Sequence, residues 1–100
     1  MPITCEKVIL NFIDGIQEGE KGSISSTTTV KVRGSQLLHY ETPIIERTND
    51  CFILNMSRYS IATGQLQKRI KNILPDGYQI VTKVPQGYHG SLRDYLDEKV

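Results

Sequence analysis

Residues 37–67 constrain the fold of this chain more than any other part of the sequence. Strand-forming residues recur along residues 37–46, and residues 51–56 are mostly apolar, so each segment predicts a β-strand. The four polar residues at 47–50 have the composition of a short hairpin loop. A hydroxyl-rich turn at residues 59–63 then leads into a basic helix, so two strands deliver polar groups to a helix start.

Two helices are predicted, one before these strands and one after them. Apolar residues at helical spacing form a stripe near the N-terminus: Cys5, Val8, Ile9, Phe12, Ile13 and Ile16. Thr4 is a suitable N-cap, and the helix should end between Gly15 and Gly19 because glycine disfavours a helix interior. The second helix covers residues 64–74 and should bury Leu66, Ile70, Ile73 and Leu74.

The remaining segments predict two more strands and a short helix. Residues 28–33 alternate β-branched with basic residues, and residues 78–84 alternate again. Residues 23–29 are almost all Ser and Thr, which suits either a loop or an exposed strand edge. Pro43 cannot donate to a ladder, so its strand should lie at a sheet edge or contain a bulge. Residues 91–99 predict a short acidic helix capped by Ser91.

This order of elements predicts the α+β class. We expect a small, mostly antiparallel sheet of about four strands that packs against the two longer helices, with a short C-terminal helix. One hundred residues with 38% hydrophobic content are enough for one compact core, so residues 1–100 are predicted to form a single α+β domain.

Composition and charge narrow the classes of protein to consider. Twelve Lys and Arg oppose eleven Asp and Glu, so the net charge of +1 provides no long-range field toward nucleic acid or membranes. The N-terminus lacks the pattern of a signal peptide, and no stretch approaches the ~18 apolar residues of a membrane span. Cys5 and Cys51 have apolar neighbours and no CxxC spacing, which favours reduced thiols. We expect a cytoplasmic protein without membrane association.

No compact catalytic signature occurs in the sequence. His39 and His89 are the only histidines, and neither has other metal-ligating residues at the spacing of a zinc site. His39 falls on a predicted strand, where we expect a surface or interfacial position. Neither cysteine nor Ser60 lies in a nucleophile motif, and no glycine-rich phosphate loop is present. Catalysis by dispersed residues stays open, but the sequence predicts a protein that is not an enzyme and has no catalytic residue, metal or cofactor.

The first candidate site is the turn and helix start, which comprises Tyr59, Ser60, Thr63, Gly64 and Gln67. If Thr63 caps the helix, the next three backbone N–H groups are free to hold a small anionic or nucleotide ligand beside the two hydroxyls. The alternative is that Ser60 and Thr63 serve only as caps and that Tyr59 packs on the core.

Two other surfaces are candidates for partner binding. The first is a cluster of basic residues that comprises Arg58, Lys68, Arg69 and Lys71, with Lys31 and Arg33 as an extension on a strand. Such a cluster can neutralise the phosphates of a nucleic acid. The alternative is a solvated helix face. Tyr88 and His89 lie in a glycine-containing loop, which is typical of contact surfaces. Alternatively, Tyr88 completes a small core with Tyr78 and Tyr95.

Eight residues carry a resemblance to a known family: Leu37, Tyr40, Thr42, Ile44, Tyr59, Ser60, Thr63 and Gln67. Their spacing is similar to Leu-x-Ser-Tyr-x-Thr-x-Ile-Ala, a short strand, and Tyr-Ser-x-Thr-Thr followed by Gln. Small domains of unknown function from phages, prophages and other microbial genomes share this pattern. The chain departs from it at His39, Ile45 and Ala62, where Ser, Ala and Thr are usual. The resemblance implies a mobile-element origin and no particular reaction.

Together these features predict a small non-enzymatic accessory protein, encoded by a phage, that binds a host macromolecule in the host cytoplasm. A host protein of defence or of the cell's machinery is the expected partner. The alternatives are nucleic-acid binding by the basic face of the helix at residues 64–74, and an anionic ligand at the Ser60 and Thr63 helix start. A homo-oligomer is also left open.

Overall fold

Helix α1, Cys5–Asp14, opens the computed structural model, which describes residues 3–49 and 51–96. Thr4 is the N-cap, and its side chain accepts a hydrogen bond from the Lys7 N–H. The helix ends at Gly15, whose φ of 110° lies in the left-handed region that favours glycine. The predicted cap and the predicted end of α1 are therefore confirmed.

Four strands follow α1, and each pairs antiparallel with the next. They are β1 Val30–Arg33, β2 Gln36–His39, β3 Thr42–Arg47 and β4 Phe52–Asn55. The prediction of one strand over residues 37–46 was wrong, because the chain turns at Tyr40 and Glu41 and splits this segment into β2 and β3. Pro43 lies in the interior strand β3, opposite an irregularity in the β2 register between Leu37 and Leu38, so the bulge alternative is the one observed.

The fifth strand pairs differently. After β4 the chain forms helix α2, Ile61–Ile73, and returns as β5, Gln79–Val81, which lies parallel to β4. The sheet order is β1-β2-β3-β4-β5. Because β4 and β5 are parallel, their carboxyl ends lie side by side, and the chain leaving β4 enters α2 there. Residues 56–60 and 82–86 therefore meet at one end of the sheet.

Both helices cover the same face of the sheet. The main core cluster joins α1, α2 and four strands, and it comprises Val8, Ile9, Phe12, Val30, Val32, Leu37, Ile44, Ile45, Phe52, Leu54, Ile70 and Leu74. In α2 the buried residues are Thr63, Gln67 and Ile70, so polar side chains occupy part of its inward face. Ile73 was predicted to be buried, but 38% of it is exposed.

Residues 84–96 cover the opposite face of the sheet. Val84 and Leu92 pack there with Ile53 and Val81 in a second cluster. Glu46, only 5% exposed, fixes this segment, because its carboxylate accepts hydrogen bonds from the Ser91 hydroxyl and the Leu92 N–H at 2.7 Å each. The covering segment was not predicted from the sequence.

The short helix predicted for residues 91–99 is a 3-10 helix, Leu92–Tyr95, with Ser91 as its N-cap. Residues 97–99 of that prediction lie outside the described residues. The architecture is α+β, as predicted, with a five-stranded mixed sheet in place of the expected four strands or so. Within residues 3–49 and 51–96, no helix has the length and apolar character that a membrane crossing requires.

Candidate functional site

Ser60, and not Thr63, caps helix α2. The helix begins at Ile61, and Ser60 Oγ accepts a hydrogen bond from the Thr63 N–H at 3.2 Å. Thr63 lies in the first helical turn and is 6% exposed, and the Gly64 N–H already donates to the Ser60 carbonyl at 2.9 Å. Ser60 and Thr63 were the two expected caps, and the structure has Ser60, so the condition under which the Gly64 N–H would be free is not met.

Tyr59 and Gln67 belong to a buried polar cluster that ties α2 to the strand ends. Gln67 Nε2 donates to the carbonyls of Asn55 at 2.7 Å and Ser57 at 3.0 Å. Asn55 donates to the Tyr59 hydroxyl, which in turn donates to the Val84 carbonyl at 2.6 Å. These contacts hold the segments after β4 and β5 together, so Tyr59 and Gln67 position the surface above them.

His39 extends this polar region toward β2. Its side chain is 8% exposed, and its Nδ1 lies 3.0 Å from Thr63 Oγ1, which lies 3.1 Å from Ser60 Oγ. Burial lowers the pKa of His39, because desolvation disfavours the imidazolium ion. We expected His39 at a surface or interfacial position. The structure instead buries it at the inner end of a chain of polar contacts that runs through Thr63 to Ser60 at the N-terminus of α2.

Tyr40 and Glu41 were not predicted as a turn. Their φ angles are 51° and 68°, in the left-handed region that neither side chain favours. The Tyr40 ring is 63% exposed, and its centroid lies 4.7 Å from that of His39 in an edge-on arrangement. The turn holds an exposed aromatic side chain next to the His39 ring at the cost of backbone strain.

Two adjoining depressions lie at the carboxyl ends of β4 and β5, and we call them together the strand-end cleft. They enclose about 810 Å³ and about 400 Å³ and share residues 56–59. Their lining comprises Met56, Ser57, Arg58, Tyr59, Ser60, Ile61, Gly64, Gln67, Lys68, Thr82, Lys83, Val84, Pro85 and Gln86. Three of these residues are basic and none is acidic. Open sheets commonly bind ligands at the carboxyl ends of parallel strands.

The strand-end cleft lies in a positively charged part of the chain. Between positions 51 and 93 the one acidic residue is Asp76, whereas the basic residues are Arg58, Lys68, Arg69, Lys71, Lys83 and Arg93. Arg58, Lys68 and Lys83 are exposed, and none of them takes part in an ion pair with another described residue. The net charge of +1 therefore conceals a local excess of positive charge.

The basic face of α2 reaches beyond the cleft but is shorter than predicted. Lys68 and Lys71 are exposed one helical turn apart, whereas Arg69 pairs with Glu6 of α1 at 3.3 Å. The predicted extension through Lys31 and Arg33 was wrong. These two residues lie on β1, at the sheet edge opposite β5, and both pair with Glu41, whose pKa is lowered by the hydrogen bond from Lys31.

Tyr88 and His89 differ in how far they are exposed to solvent. The Tyr88 ring is half-buried and packs edge-on against Tyr95, with 5.1 Å between the ring centroids. Its hydroxyl donates to Asp94 Oδ2 at 2.6 Å, and this bond raises the pKa of Tyr88 to about 12. His89 is exposed. Tyr88 and Tyr95 therefore complete a small core as the alternative had it, whereas Tyr78 packs against the main core cluster and not with them.

Sequence reasoning missed Lys83 as a member of the candidate site. The prediction placed Lys83 within a strand over residues 78–84, but β5 ends at Val81 and Lys83 follows it with a φ of 65°. Only the parallel pairing of β5 with β4 brings Lys83 to the same cleft as Arg58. A basic residue next to a predicted strand end was the one signal available.

Other chemistry has little support in the described residues. No three His, Cys, Asp or Glu side chains there are placed to hold a metal ion. Cys5 Sγ contacts Thr29 Oγ1 at 3.3 Å, and Cys51 Sγ donates to the Asp76 carbonyl at 3.4 Å, so each thiol has a structural contact. A scan against protein-family models and searches of curated proteins and of solved structures each found nothing that matches this chain.

Proposed function

We propose that the protein acts by binding rather than by catalysis, and that the strand-end cleft contacts the phosphate backbone of a nucleic acid. One observation carries this proposal: Arg58, Lys68 and Lys83 line the cleft, and none of the described residues that line it with them is acidic. Exposed basic side chains that release counterions from phosphates provide most of the affinity of non-specific nucleic-acid binding.

The arrangement of charge favours a polymer over a small anion. Lys71 continues the basic surface one turn along α2 from Lys68, so positive charge reaches outside the cleft. The hydroxyl of Tyr59 donates to the Val84 carbonyl, and Gln67 bonds to two carbonyls, so these polar groups are already occupied. A ligand therefore meets charge rather than a set of directed hydrogen bonds, which suits contact with a backbone and no choice of base sequence.

The experiment is a fluorescence-anisotropy titration of a labelled random-sequence DNA duplex with the full chain. Three phosphate contacts predict that affinity falls about 40-fold when salt rises from about 50 mM to about 200 mM. Arg58→Glu with Lys83→Glu should abolish binding at the lower salt concentration. Neutral Arg58→Gln and Lys83→Gln variants should each lower the salt slope by about one.

The matched control is Lys7→Glu with Lys21→Glu, which changes the net charge equally at two exposed residues outside the cleft. This variant should keep most of the affinity. Equal loss in both double variants would mean that overall charge, and not the cleft, determines binding. No anisotropy change with the wild-type protein at low salt would refute the proposal.

A second candidate function is the binding of a host protein by an accessory protein, for which the family resemblance implies a mobile-element origin. The exposure of two large side chains near the start of α2 favours it: Ile61 is 84% exposed and Tyr40 is 63% exposed. Such residues often anchor protein contacts. Substitution of Tyr40 or Ile61 by Ser should weaken capture of a partner from host lysate. Ile24→Ser is the control, because Ile24 is 46% exposed, and it should leave capture unchanged.

A further inference from the structure

A groove of about 480 Å³ separates α1 from α2 on the helical face of the sheet. Its apolar lining comes from both helices and comprises Cys5, Ile9, Ala62, Leu66 and Ile73. Ile73 is 38% exposed, and Cys5 and Leu66 are only partly buried, so this apolar surface is open to solvent. A volume of this size lies within the range of small-molecule sites, and such sites combine an apolar body with a few polar groups.

His39 supplies a polar group to this groove. Its Nδ1 contacts Thr63 on α2, whereas its Nε2 has no hydrogen-bond partner among the described residues. No side-chain nitrogen or oxygen in that part of the chain is both fully buried and without a partner, so Nε2 keeps contact with solvent. His39 lines the groove and its Nδ1 is engaged by Thr63, so Nε2 is the ring nitrogen that remains for a ligand there. A side chain that is 8% exposed thus offers one unpaired nitrogen to a cavity.

The charges at the groove cancel. Among the described residues that line the groove, the charged ones are Glu6 and Arg69, and they pair with each other at 3.3 Å. A charged ligand would have to compete with this pair for one of its members, whereas an uncharged ligand leaves it intact. A hydroxyl group suits Nε2 in either tautomer of His39, because it can both donate and accept a hydrogen bond.

We propose that the groove between α1 and α2 is a binding site for an uncharged, mainly apolar small molecule whose hydroxyl group pairs with His39 Nε2. This site is separate from the strand-end cleft, since the two linings share none of the described residues. The inference therefore does not depend on nucleic-acid binding. It assigns a role to the burial of His39 beneath an open apolar surface.

The test uses 2-naphthol, an apolar body with one hydroxyl, and naphthalene, the same body without it. Amide chemical shifts of the full chain are followed by NMR during each titration. We expect 2-naphthol to shift amides of α1 and α2 around the groove and to shift the His39 side-chain nitrogen signals. Naphthalene should bind about tenfold more weakly, because it leaves Nε2 without a partner.

Two variants locate the binding. Ile73→Lys places a charge at the groove and should weaken 2-naphthol binding at least about tenfold, because burying an ammonium group against the ligand is unfavourable. Ile80→Lys is the matched control, since Ile80 is 46% exposed and lies on β5 outside the groove lining. It should bind 2-naphthol as the wild type does.

Three results would overturn the proposal. The first is the absence of groove shifts with 2-naphthol up to its solubility limit. The second is an equal affinity for naphthalene, which would remove His39 from the site. The third is unchanged binding in Ile73→Lys, which would place the ligand elsewhere. Ile73 and Ile80 are 38% and 46% exposed, so the two lysine variants carry a similar cost in stability and the comparison between them holds.

Discussion

Replacing Gln67 tests whether the buried polar cluster holds α2 against the end of β4. Gln67 is 3% exposed and donates to the carbonyls of Asn55 and Ser57 at 2.7 Å and 3.0 Å. Gln67→Leu keeps a similar volume but removes both donors. Each lost bond costs about 1 kcal/mol net, and each carbonyl left without its donor raises that cost, so we expect a loss of about 2–4 kcal/mol in the free energy of unfolding.

Urea unfolding followed by circular dichroism measures this change through the midpoint, provided that the m value stays constant. Gln65→Leu is the control, because Gln65 is exposed on the same helix and should change stability by less than about 0.5 kcal/mol. Gln67→Glu should be at least as damaging as Gln67→Leu at neutral pH, since a carboxylate cannot donate to either carbonyl. If Gln67→Leu were as stable as Gln65→Leu, the reasoning about this cluster would fail.

Three further predictions concern other parts of the fold. Phe12 is fully buried, so Phe12→Ala should lower the free energy of unfolding by about 3–5 kcal/mol in urea, whereas Leu10→Ala, at a position that is 40% exposed, should lower it far less. The pKa of His39 in the fold is below the 6.5 of the unfolded chain, so the unfolded state gains its proton first as pH falls. The free energy of unfolding should therefore fall as the pH drops below 6.5. Urea midpoints measured across this pH range should fall less in His39→Gln than in the wild type. Ser60→Ala should lower the free energy of unfolding by about 1 kcal/mol, and Ser60→Asp should leave it almost unchanged. Thr63→Asp should lower it, because this change buries a carboxylate beside His39. Thermal unfolding of the three variants checks this order. Equal melting temperatures for Ser60→Asp and Thr63→Asp would contradict the assignment of Ser60 as the cap.

The sequence predicted α1 and the α+β class because the relevant signals are local. The apolar stripe, Thr4 and Gly15 define α1 without help from the rest of the chain. The turn at Tyr40 and Glu41 escaped prediction because no local signal marks it. Neither residue favours a positive φ, so only pairing between β2 and β3 and the packing of His39 impose the turn.

In α2, hydrophobic periodicity did not predict which residues face the sheet. Thr63 and Gln67 are buried there because each has hydrogen-bond partners on the sheet, while the apolar Ile73 remains exposed beside the groove. The strand-end cleft could not be predicted either. Its cations come from segments that are distant in sequence and meet only through the parallel pairing of β4 and β5.

That parallel pairing also sets the order in which the sheet can form. Strands β1 to β4 are joined by connections of a few residues, whereas β5 reaches β4 only after all of α2 has been placed. Loop closure grows less favourable with the length of the loop, so the hairpins should form before the β4–β5 pair. In pulse-labelled hydrogen exchange during refolding, amides of β2 and β3 should become protected earlier than those of Gln79–Val81. The strand-end cleft is then completed last, and a partner that binds it stabilises the final step of folding.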